Sequence, residues 1–303
     1  MQRILTVNSD DGNQKKKRVF STVEPFLYLI PCLFFVVLFV YYPFIKTIVN
    51  SFFFINKEGI ARRFAGLTNY IELFQDPLFY VAVKNSLIYA AVVVPGSLIL
   101  SMVFALLANK KGIFNKFSTV SFLIPMSVSV SVAAMIFKLL LNPTIGLFDY
   151  VLNISTPWFS DSHYALMGLA IFNIWLSIGF NFLFLTAAMR NVQTDVMESA
   201  DIAGANWFQK TVHIVIPLIS PTLFFLFCTS TIGSLMMVSP ILALSTLGGP
   251  NQSTTTLVYL MYSQAYQNGY YGYSFALSVV IFLIIGSLLA LTFKFEKKGV
   301  YYG

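Results

Sequence analysis

Six stretches of roughly 20 residues or more contain no aspartate or glutamate, and that constrains the fold more than any motif. They run over Phe26–Val49, Tyr80–Leu107, Phe117–Leu141, Tyr164–Met189, Leu218–Leu244 and Tyr273–Phe293. About 20 apolar residues in an α-helix cross a bilayer core of about 30 Å. All 12 acidic residues lie in the tails or between these stretches, and the mean hydropathy of the 303 residues is +0.76. Backbone polar groups in hydrocarbon must be satisfied within the chain, which favours helices for segments of this length. The expected fold is all-α, a polytopic membrane protein. Its six transmembrane helices fill residues 26–293, between tails at 1–25 and 294–303.

Basic residues set the orientation. With the N-terminus inside, 13 of the 19 lysines and arginines fall in cytoplasmic segments, and the external loops hold only Lys57, Arg62 and Arg63. Lys46, Lys84 and Lys138 sit near outer span ends, where long stems snorkel to headgroups. The expected place is the cytoplasmic (inner) membrane, multi-pass, with both termini cytoplasmic. The formal charge of +7 reads as a topology signal and implies no nucleic-acid partner. The first span reads as an uncleaved anchor, too long for the apolar core of a secretory signal. Cys32 and Cys228 lie within spans and read as small buried hydrophobes, with no disulfide or metal framework.

Enzyme chemistry finds little support. The two histidines, His163 and His213, are placed on opposite sides of the membrane, so no catalytic or metal site can share them. Gly204–Thr211 resembles a phosphate loop only until Gln209, which stands where the second glycine belongs. Transport is the better class. Ion-driven carriers usually keep ionisable groups at membrane depth, and none lies near the centre of a span here. Backbone carbonyls can still hold Na⁺, which keeps an ion-coupled secondary carrier as an alternative. A non-transporting assembly or sensor subunit is a third.

Between the fourth and fifth spans, residues 190–217 form a polar, small-residue segment. Asp195 with Glu198 makes a capping-box pattern that starts a helix at Val196. Gly204 suits a left-handed C-terminal cap, and Asn206 with Gln209 repeats the capping pattern for a second short helix that Pro217 ends or kinks. Ala200, Ala203 and Gly204 give a low-relief face, and Asp195, Glu198 and Asp201 can pair with a basic partner. The alternative is an amphipathic linker on the bilayer, which three acids in seven residues fit poorly.

Glu198-Ser-Ala-Asp-Ile-Ala-Gly-Ala205, followed by Ile214 and Pro217, resembles the EAA loop of ABC-importer permeases. Further motifs follow in order. They are Phe64–Tyr70 with Asp76-Pro77, Asn142-Pro143 with Gly146-Leu147, Ile174-Trp175, Gly248-Gly249-Pro250 with Thr254–Thr256, and Gly272-Tyr273 with Ala276. Together they resemble the carbohydrate-importer branch, in its maltose/glycerol-phosphate "F/A" type. The resemblance implies that Glu198, Ala200, Asp201, Gly204 and Ala205 belong to coupling helices that insert into a cytoplasmic ATPase. It implies as partners a second, different permease, two ATPase subunits and an extracytoplasmic solute-binding protein. No cofactor is expected on this chain, with ATP and Mg held by the ATPase subunits. One departure stands out: Ala203 occupies the place of the family's aspartate, and Ser199 that of an alanine.

For the substrate path, Asn173, Ser177 and Asn181 recur at i, i+4, i+8 on the fourth span, beside Trp175. Uncharged hydrogen-bonding groups with aromatics suit a hydroxyl-rich solute; the alternative is bonding between helices. Ser230, Ser234 and Met237 on the fifth span are further candidates, while Ser127, Ser129 and Ser131 read as close-packing positions. The absence of mid-span Arg or Lys favours a neutral sugar, oligosaccharide or polyol, with sn-glycerol 3-phosphate as the alternative. The external loop Ser245–Gly272 has no charged residue. By the resemblance, Gly248, Gly249, Pro250, Tyr259 and Tyr262 contact the binding protein; an aromatic belt at the membrane face is the competing reading.

Overall fold

The computed structural model describes residues 28–56, 58–108, 121–122, 124–153, 156–245 and 247–299. The expected N-terminal tail, most of the loop after the second span, and residues 117–120 of the third lie outside them. Helix α1 (Tyr28–Asn50) leads into a small antiparallel hairpin, β1 (Phe53–Ile55) and β2 (Ala61–Phe64). There follow α2 (Thr68–Gln75), α3 (Pro77–Ala108), α4 (Val130–Leu140), α5 (Leu147–Leu152) and α6 (Ala165–Arg190). Then come α7 (Thr194–Ile202), α8 (Trp207–Leu218), α9 (Ser220–Leu235), α10 (Ser239–Leu244), α11 (Leu257–Tyr262) and α12 (Tyr271–Gly299).

The expected helical membrane architecture is present in coarser form. Four helices, α1, α3, α6 and α12, are long and apolar enough to cross a membrane, and the α8–α9 pair, bent by 69°, makes up to five. The expected third span is interrupted at Val128-Ser129, where Ser129 takes an extended ψ of 134° before α4 begins. Ser127, Ser129 and Ser131 are all exposed, so they make no close packing within this chain. The fifth breaks at Met236–Val238, because Pro240 has no N–H to give to Met236 O and its ring would crowd that carbonyl in a continuous helix. The hairpin departs from an all-α chain, and Cys32 is exposed on α1 while Cys228 is buried.

Helices α3 and α6 form the central pair. Close approach depends on small residues: a Cβ on Gly96 would stand 2.8 Å from Ile174 Cδ1. A buried cluster of Tyr89, Val93, Leu169, Phe172, Ile241 and Tyr259 joins α3, α6, α10 and α11. A second, with Phe182, Leu185, Met189, Val215 and Leu226, ties α6 to α8 and α9. Asp76 and Pro77 start α3: the Asp76 carboxylate accepts from the Leu78 N–H at 2.8 Å and from the Tyr273 hydroxyl at 2.7 Å. Asn69 donates to Ser51 O and Phe53 O, pinning α2 against the start of the hairpin.

Candidate functional site

A cavity of about 420 Å³ opens between α6, α9 and the break before α10. Asn173, Ser177 and Asn181 line it from α6, and Thr229, Ser230 and Ser234 from α9. The helical spacing read from the sequence therefore brings five of the six expected path residues together. Trp175 is the exception. Two residues beyond Asn173 it points about 200° around the helix, and its ring packs 5.0 Å from that of Phe137. Met237 lines the cavity from the break itself.

Hydrogen bonds orient these groups. Ser177 donates to Asn173 Oδ1 at 3.4 Å, Asn181 Nδ2 to Ser97 Oγ at 3.3 Å, and Ser234 to Thr231 O at 3.0 Å. Tyr89, buried behind the wall, donates its hydroxyl to Met237 Sδ at 2.9 Å. No charged side chain lines this cavity among the described residues. Sequence reasoning missed Tyr89 and Thr229. Nothing in their local pattern marks them; only the break, signalled by Pro240, aims Met237 inward.

At one end of the bundle lie α7 and α8. Helix α7 starts at Thr194, two residues before the expected Val196, and Gln193 at its N-cap makes no side-chain cap bond. Asp195 serves in the first turn instead, where negative charge suits the helix dipole. The C-terminal cap is as expected. Gly204 has φ +78°, its N–H bonds Asp201 O, and the Ala205 N–H bonds Ala200 O, both at 3.0 Å, a Schellman pattern. Asn206 and Gln209 form the expected capping box at 2.9 and 2.8 Å. Beyond it the helix widens into a π-turn over Thr211–Val215 and bends at Ile219, just after Pro217.

Two expectations for this segment change. Ala200 is 8% exposed, so the low-relief face is partly turned into the chain. Asp201 forms an ion pair with Lys210 rather than standing free for a partner. Glu198 is exposed and borders a second cavity of about 610 Å³ between α7 and α8. Gly204 is open, with nothing within 4 Å of an added Cβ. Ile202, 90% exposed, and Phe208, 65%, are apolar residues at this end that the motif did not point to.

The third expected surface is corrected at two positions. Tyr259 is 3% exposed and Gly248 is buried, so neither meets an outside partner. Asn85 Nδ2 donates to Gln252 O at 3.1 Å and Thr255 O at 3.0 Å, and Ser86 Oγ accepts from the Leu257 N–H at 2.9 Å. These bonds draw Thr254–Leu260 into the bundle. Gly249 and Pro250 are half-buried, and the Tyr262 ring packs tilted against that of Tyr266, centroids 5.0 Å apart. Tyr266 and Tyr270 carry the exposed aromatic surface.

Residues 97–298 match the family model described as "Binding-protein-dependent transport system inner membrane component". The chain belongs to this family. It is a permease subunit of a binding-protein-dependent ABC importer, a multi-pass inner-membrane protein without catalytic chemistry of its own; in this family ATP is bound by separate ATPase subunits. Membership sets aside the ion-coupled carrier. The chain is 30% identical over 281 residues to the sn-glycerol-3-phosphate transport system permease protein UgpA of Yersinia pestis bv. Antiqua (strain Antiqua), covering 92% of this permease and 95% of that one. It is 27% identical over 287 residues to the probable ABC transporter permease protein YurN of Bacillus subtilis (strain 168), covering 92% and 98%. A bacterial alginate ABC transporter, solved in complex with an alginate pentasaccharide-bound periplasmic protein, has a chain of the same fold. The TM-score is 0.80 at 19% identity, over 93% of this chain and 98% of that one.

Proposed function

We propose that this permease, paired with a second and different one, imports a neutral polyhydroxylated solute: a sugar, oligosaccharide or polyol. An extracytoplasmic binding protein delivers the solute, and two ATPase subunits, engaged at Glu198, Gly204 and Ala205 with Ile202 and Phe208 beside them, drive the exchange of states. ATP shifts such an equilibrium only by binding one arrangement better than the other. On the delivery side, Pro250, Tyr262, Tyr266 and Tyr270 meet the binding protein in this reading, which the exposure of Tyr266 and Tyr270 supports.

The observation that carries the solute class is the hydrogen-bond polarity of the uncharged cavity. A hydroxyl that has donated its proton keeps lone pairs to accept with. Ser177, Ser234 and Thr229 all donate to protein oxygens, the last to Phe225 O at 3.0 Å. Asn181, with an N–H given to Ser97, keeps its carbonyl oxygen. The lining therefore offers acceptors at these oxygens and donors at the Asn173 and Asn181 amides, which suit the hydroxyls of a polyol or sugar that both donate and accept. A phosphate monoester near neutral pH is mainly an acceptor and finds no arginine or lysine there.

The second reading, sn-glycerol 3-phosphate, draws on the named activity of the UgpA relatives and requires the paired permease to supply the missing positive charge. A thermal-shift screen of the binding protein copurified with the complex separates the two. Stabilisation by maltotriose or sorbitol is expected; stabilisation by sn-glycerol 3-phosphate alone overturns the neutral-solute reading.

A further inference from the structure

Two short helices meet at the α7–α8 turn, and each is capped on its own side of it. The Schellman bonds end at the Ala205 N–H, and the capping box begins at the Asn206 N–H. Ala205 is thus a joint that neither cap spans. Facing the joint, α7 and α8 border the 610 Å³ cavity, with Met197, Glu198 and Asp201 on one side and Trp207 and Lys210 on the other, and the ends of α3 and α6, Arg190 included, close it behind. The Asp201–Lys210 ion pair bridges that gap across nine residues of sequence. Lys210 is held with its side chain 17% exposed.

Asp201 sits in the last turn of α7, where the helix dipole disfavours a carboxylate. Its placement is therefore not explained by the helix that carries it, and Lys210 offsets the cost. Asp201 is the carboxylate nearest the joint in the chain.

We infer that Asp201 and Lys210 form an internal clasp that makes α7 and α8 move as one body. Through it, displacement of α7 reaches α9 and the cavity wall. The inference rests on the coupling role proposed for this segment. Besides the apolar contact of Met197 with the cluster that holds Val215, two polar or covalent routes lead away from α7. One runs back through Asn191–Gln193 into α6. The other crosses the clasp into α8, passes the π-turn and the 69° bend at Ile219, and continues along α9 to Thr229–Ser234. Opening the clasp leaves the first route intact and loosens the second. Asp201 and Lys210 are positioning residues on this account, and neither contacts ATP or solute.

The test uses the whole complex, with its copurifying ATPase, in nanodiscs. Single cysteine reporters, Phe180→Cys on α6 or Ser230→Cys on α9, are placed in a Cys32→Ser/Cys228→Ala background, and MgATP-induced changes in maleimide labelling rate are read. In the otherwise unchanged chain both reporters respond. In Asp201→Lys the α6 response persists while the α9 response falls at least fivefold, and Asp201→Asn falls between. The swapped pair Asp201→Lys/Lys210→Asp regains the α9 response. A full α9 response in Asp201→Lys, or no recovery in the swap, overturns the clasp. Loss of the ATPase from the Asp201→Lys complex also overturns it, by making Asp201 a partner contact. Failure of the coupling reading looks different: neither reporter responds to MgATP even with the clasp intact, and the inference then falls with it.

Discussion

Asn85→Leu tests how the segment Thr254–Leu260 is held inside the bundle. Leucine keeps the branched outline of asparagine, in a larger volume, but cannot donate, so Gln252 O and Thr255 O lose donors at 3.1 and 3.0 Å. Asn85 is 9% exposed, so water does not freely replace it. At about 1 to 1.5 kcal/mol for each neutral bond the segment loses roughly 2–3 kcal/mol against local opening. At about 1.4 kcal/mol per decade that is roughly a 30- to 150-fold larger opening constant. Hydrogen exchange reads it directly: amides across 252–260 speed up by about that factor, and those of α6 stay unchanged. Less than a threefold change, or an increase spread evenly over the bundle, refutes the argument that these bonds hold the segment in place.

Three further substitutions probe separate features. Gly204→Ala puts a Cβ at φ +78° in open space, a conformational cost of about 1–2 kcal/mol; uptake falls while membrane insertion is retained, and Gly204→Asn recovers part of it. Asn206→Ala removes the α8 cap at a cost of about 1 kcal/mol, seen as faster amide exchange at Trp207–Lys210 without loss of the complex. Gly179→Ala drives a Cβ to 2.7 Å from Phe122 O, an overpacking cost of about 1–3 kcal/mol. It lowers the melting temperature of the purified complex, whereas Gly286→Ala, with nothing within 4 Å, leaves it unchanged.

What was legible in the sequence follows the reach of the interactions concerned. The first, second, fourth and sixth apolar runs, the i, i+4, i+8 stripe on α6 and the caps at Gly204 and Asn206 are local, and each stands where its pattern put it. Trp175 went astray on a local rule, since a residue two positions from Asn173 lies on the far side of a helix. The break at Met236–Val238 was also local, marked by Pro240 inside an apolar run, but run length outweighed it. Burial of Tyr259 was not local at all. An uncharged, tyrosine-rich loop reads as surface until Asn85 and Ser86, about 170 residues away, take up its backbone groups. The Asp201–Lys210 pair is intermediate, nine residues apart, and becomes visible only once the turn between α7 and α8 is known.

The most direct test of the whole account is MgATP-dependent uptake into proteoliposomes holding the full complex and its binding protein. Radiolabelled maltotriose, sorbitol and sn-glycerol 3-phosphate are offered in turn, with Asn173→Leu beside the unchanged chain. A neutral solute is expected to accumulate only with MgATP, and at least tenfold less in Asn173→Leu although the ATPase stays bound. Undiminished accumulation in Asn173→Leu, or accumulation of sn-glycerol 3-phosphate alone, contradicts the claim that the uncharged cavity is the route of a hydroxyl-rich solute.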